Sequence, residues 1–337
     1  MAVTLRDVAR RAGVSPRTVS NVVNDFELVS DETRSRVREA IEELGYQPNL
    51  VARNLRSGRS GMIGLAIPEI LVPYFSELSG AVIEHARRRS YTVIIEQTGG
   101  DPEEEQLLLK RSGRTQLFDG LIFSPLGIGA DDLAARESDQ PLVLLGERIV
   151  EGPFDHIAID NVAAARRATQ HLIDIGRRRI AAIGAQRNEL GHTGRYRTKG
   201  YKQALKAAGR PFDRRLLAEA PQFHRDCGAA AMNRLLELAE PPDAVFCYND
   251  LLALGAMRAV LSRGLRVPAD VAIVGFDDIE DGRYSTPTLT TVAPDKARIG
   301  QAAVDLLLAR LSGSKQAPAD IEAPWELKIR ESTCPRA

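Results

Sequence analysis

The chain has 337 residues, 44% hydrophobic and 27% charged, which is a globular composition long enough for two or three domains. Its 45 basic and 45 acidic residues cancel, so net charge alone gives no sign of a nucleic-acid partner. Three widely spaced cysteines suggest neither a disulfide framework nor a thiolate metal cluster, and no run of about 18 apolar residues predicts a membrane helix. Arginines stand in the N-terminal MAVTLRDVARRAG where a signal peptide would be apolar, which predicts a cytoplasmic protein.

The first predicted elements are two short helices in residues 5–25, LRDVARRAGVSPRTVSNVVND, whose apolar residues recur at helical spacing on either side of Gly13. Gly13 can take the positive φ that a tight turn between helices requires. Ser15 can cap the second helix, and Pro16 then falls at its first position, where a missing N–H costs nothing. A third helix follows, with Ser30 as its predicted cap. This is a helix-turn-helix pattern.

In a helix-turn-helix domain the second helix enters the major groove of DNA. Arg17 could bind guanine with two hydrogen bonds, whereas Thr18 and Ser20 suit phosphate oxygens. Local charge agrees, because residues 47–60 carry three arginines and no acid. A helical hairpin used only for packing is the alternative. The predicted DNA contacts of this domain are Thr4, Ser15, Pro16, Arg17, Thr18, Ser20, Asn21 and Asn24.

Beyond Gly61 apolar runs typical of buried parallel strands alternate with amphipathic helical segments. Two such series predict two doubly wound α/β lobes. Ligands bind at the carboxyl ends of the strands in such sheets, so the cleft between the lobes is the expected site. The runs of the first series are MIGLAIP, YTVIIEQ, DGLIFSPL and PLVLLGE, and those of the second are RRIAAIGA, LLAEAP, DAVFCYND and DVAIVGFDD.

Several motifs in this order resemble the LacI/GalR family of bacterial transcriptional regulators, and the resemblance runs almost end to end. They are TLRDVARRAGVSPRTVSNVVND, PNLVARNL, DGLIFSP, VFCYND, GLRVPADVAIVGFDD and TPTLTTV. The resemblance implies a homodimer, sometimes a tetramer, on a near-palindromic double-stranded operator. It also implies an all-α helix-turn-helix head joined to an α/β two-lobed effector domain like periplasmic sugar-binding proteins, with doubly wound parallel sheets.

The predicted domains follow from that organisation. The head covers residues 1–47, a hinge helix and linker 48–60, and an effector-binding and dimerisation domain 61–337. Within the last, the first lobe takes about 61–160 and 292–320, and the second about 161–291 and 321–332.

Residues 47–58, QPNLVARNLRSG, would form a helix too short to be stable alone. The resemblance implies that this hinge helix folds when two copies meet in the minor groove. Leu55 then matches an apolar wedge at a central base step, while Val51 and Ala52 pack the two hinge helices together. Arg53 and Arg56 complete the predicted DNA contacts. An interdomain linker whose leucines rest on the effector domain is the alternative.

The resemblance also places an effector pocket, in which Tyr74 and Phe75 stack on a ligand ring and Arg197 pairs with hydroxyl or carboxylate groups. Planar Arg, Asn and Asp side chains can each hold two adjacent hydroxyls, which favours a sugar over a purine. Asp250 is expected to cap a helix rather than touch ligand. The predicted effector contacts are Tyr74, Phe75, Arg148, Asp160, Thr193, Arg197, Phe223, Asn249 and Asp277.

An enzyme is not expected, because the sequence has no HExxH, GxSxG or GxxxxGK motif, and neither a metal nor a cofactor is predicted. A sugar-binding protein without a DNA role would need a signal peptide and would have no use for residues 1–60. The expected mechanism is a rotation of the lobes about chain crossovers near residues 160, 291 and 320. An effector that favours the arrangement separating the hinge helices lowers operator affinity, and induction of this kind is the expectation.

Overall fold

The computed structural model describes residues 3–23, 28–46, 59–110, 117–147, 149, 152–186 and 192–334. The chain divides into two compact units, residues 1–60 and 61–337. The described part of the first unit contains helices α1 (Leu5–Ala12), α2 (Pro16–Val23) and α3 (Asp31–Leu44).

The head, which is the first unit, has the predicted turn and the predicted helix caps. Gly13 adopts φ 66° after α1. The Thr18 amide donates to Ser15 Oγ at 3.1 Å, which leaves Pro16 as the first residue of α2. Ser30 accepts a hydrogen bond from the Thr33 amide at the start of α3. The three helices enclose a core made of Val8, Ala9, Ala12, Val19, Val22, Val37 and Ala40.

The second unit contains two six-stranded sheets in its described part, as the doubly wound prediction requires. In the first sheet all strands are parallel, in the order β11-β5-β4-β3-β1-β2. Its strands are β1 (Met62–Ile67), β2 (Thr92–Gln97), β3 (Gly120–Phe123), β4 (Leu142–Leu145), β5 (Asp155–Ala158) and β11 (Asp320–Glu322). Its helices are α4 (Pro73–Arg88), α5 (Pro102–Leu107), α6 (Ala130–Ala134) and α12 (Lys296–Leu311).

The second sheet has the order β12-β10-β9-β8-β6-β7, with β12 antiparallel to β10 and the remaining pairs parallel. Its strands are β6 (Ile180–Ala185), β7 (Leu217–Glu219), β8 (Ala244–Cys247), β9 (Ala272–Phe276), β10 (Thr290–Pro294) and β12 (Trp325–Lys328). Its helices are α7 (Asn161–Asp174), α8 (His192–Ala207), α9 (Arg225–Leu236), α10 (Asp250–Ser262) and α11 (Glu280–Tyr284), with a 3-10 turn at Arg214–Leu216.

The apolar runs of the central strands are buried because both faces of each sheet are covered, whereas the run in YTVIIEQ forms the edge strand β2, which has no buried residue. Along β1, Ile63, Leu65 and Ile67 pack in one cluster with residues of α4 and α12. Ala66, which points to the other face, packs in a second cluster with Phe123. Alternate side chains of a strand point to opposite faces, so a strand covered on both faces needs a continuous apolar run.

The chain crosses between the two lobes three times, after β5, after β10 and after β11. The first crossing agrees with the predicted position near residue 160. The second and third lie slightly later than predicted, because β10 stays paired with β12 through Pro294 and β11 stays paired with β5 through Glu322. The predicted boundary near 291 therefore falls inside a strand. No helix in the described ranges is both long and apolar enough to span a membrane.

Candidate functional site

The outer side of α2 carries the predicted DNA contacts of the head. Val19 and Val22 point into the core, whereas Pro16 and Arg17 are exposed and Asn21 is partly exposed. Val19 and Val22 are three residues apart and so lie on one face of α2, which leaves Arg17 and Asn21 outside the core. The predicted contacts Thr18 and Ser20 are partly exposed on the same helix.

Two further predicted DNA contacts are also helix caps. The Thr4 hydroxyl donates to Asp7 Oδ2 at 2.6 Å at the start of α1. Ser15 accepts from the Thr18 amide at the start of α2. The structure therefore assigns both hydroxyls a local role beside the predicted one. The remaining predicted contacts lie outside the described residues, namely Asn24, Val51, Ala52, Arg53, Leu55 and Arg56.

A cleft between the two lobes of the second unit encloses about 390 Å³. It lies at the carboxyl ends of the parallel strands, where loops of both sheets meet. The structure brings together seven of the nine predicted effector residues in its lining, Tyr74, Phe75, Thr193, Arg197, Phe223, Asn249 and Asp277. Arg148 lies outside the described residues.

Asp160 does not line this cleft. Its carboxylate accepts from the amides of Val162 at 2.9 Å and Ala163 at 2.8 Å, and so caps α7. The next residue, Asn161, is buried and lines the cleft instead. The geometry does not support an effector contact at Asp160, because its acceptor atoms are aimed at the backbone of the helix.

Asn249, not Asp250, caps the start of α10, although Asn249 also lines the cleft. Asn249 Oδ1 accepts from the Leu252 amide at 2.9 Å, and its Nδ2 donates to Phe223 O at 3.0 Å. The prediction that Asp250 caps the helix is therefore wrong. Asp250 is fully buried and accepts from the Thr291 hydroxyl at 2.6 Å. Burial, with the nearby Asp277 carboxylate, raises the pKa of Asp250 well above its ordinary value.

Arg197 lies at the floor of the cleft and is buried on α8. Its Nε donates to Asn161 Oδ1 at 2.9 Å, and its guanidinium also donates to Tyr248 O. Desolvation lowers the pKa of Arg197, although the carboxylates of Asp277 and Glu147 act in the opposite direction. An arginine remains charged in proteins, so the cleft holds a fixed, oriented cation.

Asp277 follows the last residue of β9 and adopts φ 113°. Its amide donates to Val292 O at 2.8 Å, which leaves the carboxyl group in the cleft lining. Burial raises the pKa of Asp277 to about 7, while Arg197 and Lys296 lower it. This carboxyl group therefore changes charge close to neutral pH, and it can accept or donate hydrogen bonds to a ligand.

The structure adds cleft residues that the sequence prediction missed. Glu147, in the first lobe, accepts from the Thr193 hydroxyl and from Asn161 Nδ2 at 3.2 Å. His224 Nε2, in the second lobe, lies 3.3 Å from Glu69 Oε2 in the first. A signal was present, because Glu147 follows a buried strand in PLVLLGE as Asp277 follows β9. These polar contacts join the two lobes across the cleft.

Metal chemistry has no support in this cleft. Among the described residues, no three His, Cys, Asp or Glu side chains are grouped so that they could hold a metal ion. Hydrogen bonds link four of the described polar side chains of the cleft, namely Glu147, Thr193, Asn161 and Arg197. The arrangement is suited to reversible binding of a polar small molecule.

A helix-turn-helix head joined to a two-lobed unit with a polar cleft defines a DNA-binding regulator controlled by a small molecule. Comparison with known proteins agrees. Residues 4–49 match the model of bacterial regulatory proteins of the lacI family, and residues 169–333 match a periplasmic binding protein-like domain.

The whole chain is similar to characterised regulators. It is 35% identical over 330 residues to the HTH-type transcriptional repressor PurR of Mannheimia succiniciproducens, which covers 98% of each chain. It is also similar to the structure of the transcriptional regulator CelR in complex with cellobiose, with 33% identity, a TM-score of 0.71 and coverage of 98% and 99%. The lac repressor dimer bound to operator and the anti-inducer ONPF has 30% identity, a TM-score of 0.83 and coverage of 99% of both chains. The chain therefore belongs to the lacI family of bacterial regulatory proteins, and it is a DNA-binding transcriptional repressor, not an enzyme.

Proposed function

We propose that the protein is a cytoplasmic, homodimeric repressor whose affinity for a near-palindromic operator is set by a small carbohydrate bound between the lobes. One observation carries the choice of effector. Arg197 and Asp277, a fixed cation and a carboxyl group, lie buried in one cleft floor. Such planar groups hold pairs of adjacent hydroxyls.

The balance of charges around the cleft also favours a neutral polyol. The lining includes three carboxyl groups, Glu69, Glu147 and Asp277, against the single guanidinium of Arg197 among its described residues. Carboxylates accept hydrogen bonds from hydroxyl donors, whereas an anionic ligand would be repelled. The similar regulator CelR is in complex with cellobiose, which supports the same class of ligand.

A purine-type co-repressor is the second candidate. The rings of Tyr74 and Phe75 lie 5.2 Å apart at 75° on the first-lobe wall of the cleft, and an aromatic edge of this kind also suits a planar base. The polar floor favours the sugar, because a base presents fewer hydroxyl groups than a sugar does.

The proposed mechanism is a population shift between two arrangements of the lobes. The three crossovers let each lobe move as a rigid body, and the polar contacts of Glu147 and Glu69 hold the lobes together across the cleft. An effector that inserts between these groups favours one arrangement by its difference in affinity for the two. We propose induction, in which the effector lowers operator affinity through the predicted hinge segment 48–60.

A thermal-shift screen of sugars and purines on the purified protein tests this proposal, because a ligand that binds only the folded state raises the Tm. A sugar that raises the Tm of the natural chain, but not of Arg197→Ala, supports the carbohydrate site. A Tm rise with purines alone contradicts it and supports the second candidate. A mobility-shift titration of operator DNA with and without that ligand then measures the direction of control.

A further inference from the structure

Lys296, the first residue of α12, makes three contacts that the proposed mechanism does not use. Its Nζ donates to Asp277 O and, at 3.1 Å, to Asp278 O. The same Nζ lies 2.9 Å from Glu77 Oε2, and the Lys296 side chain is only 12% exposed. An ammonium group has three N–H donors. All three are therefore matched to acceptors, two on one turn of the second lobe and one on the first lobe.

The turn held by this ammonium is strained. Asp277 and Asp278 are consecutive residues with φ of 113° and 51°, a region that side chains other than glycine rarely adopt. Such a conformation persists only where the surroundings hold it. The amides of residues 277–280 are all hydrogen-bonded, to acceptors on β10, Asp250 and Glu77. The amide groups of the turn are thus held by these acceptors, and Lys296 holds the carbonyl groups of Asp277 and Asp278.

Glu77 connects this turn to the aromatic wall of the cleft. Its Oε1 accepts from the Glu280 amide at 3.0 Å at the start of α11, while its Oε2 pairs with Lys296. Glu77 lies on α4, one turn after Tyr74, and the Tyr74 ring centroid is 6.0 Å from Lys296 Nζ. One carboxylate of the first lobe thus binds both the ammonium and the backbone of the second-lobe turn.

We propose that Lys296 is a positioning residue that holds the Asp277 backbone for effector binding, and that its ion pair with Glu77 couples Asp277 to the aromatic wall on α4. The inference rests on the proposed function of Asp277 as an effector contact. The Asp277 backbone is thus linked to α4 through two side chains, Lys296 and Glu77.

Hydrogen–deuterium exchange of the full chain, without effector, tests this directly. In Lys296→Met the amides of residues 277–280 are expected to exchange about tenfold faster or more, because charge-assisted contacts to both carbonyls are lost. The first turns of α4 should also exchange faster. Lys296→Arg keeps the charge and the donors, so its exchange should lie closer to that of the natural chain.

Two further variants separate positioning and coupling from general destabilisation. Lys328→Met removes a lysine that pairs with Glu326 on its own strand, β12. This change should leave the exchange rates of residues 277–280 unaltered. Glu77→Gln should loosen α4 in the natural background but add nothing in Lys296→Met. Unchanged exchange at residues 277–280 in Lys296→Met, a uniform rise across the chain, or additive effects of the two substitutions would overturn the inference. Because exchange is measured without ligand, it tests the role of Lys296 independently of the sugar screen, and the two proposals can fail separately.

Discussion

The guanidinium of Arg197 lies 3.4 Å from the centroid of the Phe276 ring, and Phe276 immediately precedes Asp277 in the chain. The ring therefore supports the cation, while the next residue supplies the opposing carboxyl group. A desolvated contact of this kind is worth about 2 kcal/mol, and it fixes the plane of the guanidinium. The end of β9 thus aligns both charged groups of the cleft floor.

Arg197→Ala should weaken effector binding by about tenfold or more, because a hydrogen bond from a charged donor contributes about 1.5–3 kcal/mol. Isothermal titration calorimetry with the effector found in the screen measures this loss. Operator binding without effector should persist, since the head is a separate compact unit. Lys199→Ala, an exposed change on the same helix, is the control. Normal effector affinity in Arg197→Ala would remove this residue from the site.

The pKa of Asp277, raised by burial from 3.8 to about 7, predicts a pH-dependent stability. Between these values the folded chain keeps a proton that the unfolded chain has released. This group's contribution to the free energy of unfolding therefore falls as pH rises from about 4 to 7 and then levels off. Asp277→Asn should therefore reduce the difference between the free energies of unfolding at pH 5 and pH 8, which urea unfolding measures.

Asp270 provides the matched control for this titration, because Arg266 lowers the pKa of that partly exposed aspartate to about 2. A carboxyl group whose pKa is lower in the folded chain has the opposite effect on stability. Its contribution to the free energy of unfolding is lost only as pH falls. Asp270→Asn should therefore leave the slope between pH 5 and pH 8 unchanged. An Asp277→Asn chain with the natural slope would show that another group titrates in this range.

The helices, the strands and most of the cleft residues could be predicted from sequence, because short local patterns of apolar and polar residues determine them. Polar residues that follow buried parallel strands, such as Asn249 and Asp277, meet at one edge of a sheet whatever the side-chain details. The same rule applied to PLVLLGE would have found Glu147. The helical spacing of the apolar residues on either side of Gly13 likewise indicated the core of the head, which contains Val8 and Val19.

The predictions of cleft and cap residues were wrong where two neighbouring residues could each cap the same helix. Asp160 precedes Asn161 and Asn249 precedes Asp250, and in each pair the first residue caps a helix. Which side chain caps and which turns inward depends on the exact start of the helix, and helix boundaries vary by one or two residues. Contacts between lobes, such as Glu147 with Thr193, depend on tertiary geometry that no local pattern contains.

Gly255→Ala should destabilise the second lobe, because α9 and α10 cross closely at this glycine. An added Cβ would come within 1.9 Å of Arg225 O and 2.8 Å of the Ala229 amide nitrogen, and backbone atoms cannot move aside cheaply. The expected loss is about 1–3 kcal/mol or more, measured by urea unfolding. Gly80→Ala, where nothing lies within 4 Å, should instead add up to about 1 kcal/mol. Equal effects of the two changes would argue against close packing at Gly255.

Leu55→Ala tests the hinge prediction, which lies outside the described residues. If Leu55 is the minor-groove wedge, its removal should weaken specific operator binding by about tenfold or more, since the bend that it stabilises gives additional contacts. Effector affinity should be unchanged, because the cleft is built by other residues. A mobility-shift titration against operator and unrelated DNA measures both effects. An operator affinity equal to that of the natural chain would favour the linker alternative.

Arg17→Ala should weaken operator binding and relax base preference at one position of each half-site. Arg17 is exposed on the outward face of α2, and Val19 anchors the other face of the same helix in the head core. A guanidinium that binds a guanine with two hydrogen bonds contributes about 1–3 kcal/mol of discrimination, so affinity should fall about tenfold or more for operator and much less for unrelated DNA. Arg36→Ala, a change at another exposed arginine on α3, controls for loss of charge alone. If both variants lose operator affinity to the same extent, Arg17 contributes general phosphate attraction and the specificity lies elsewhere on α2.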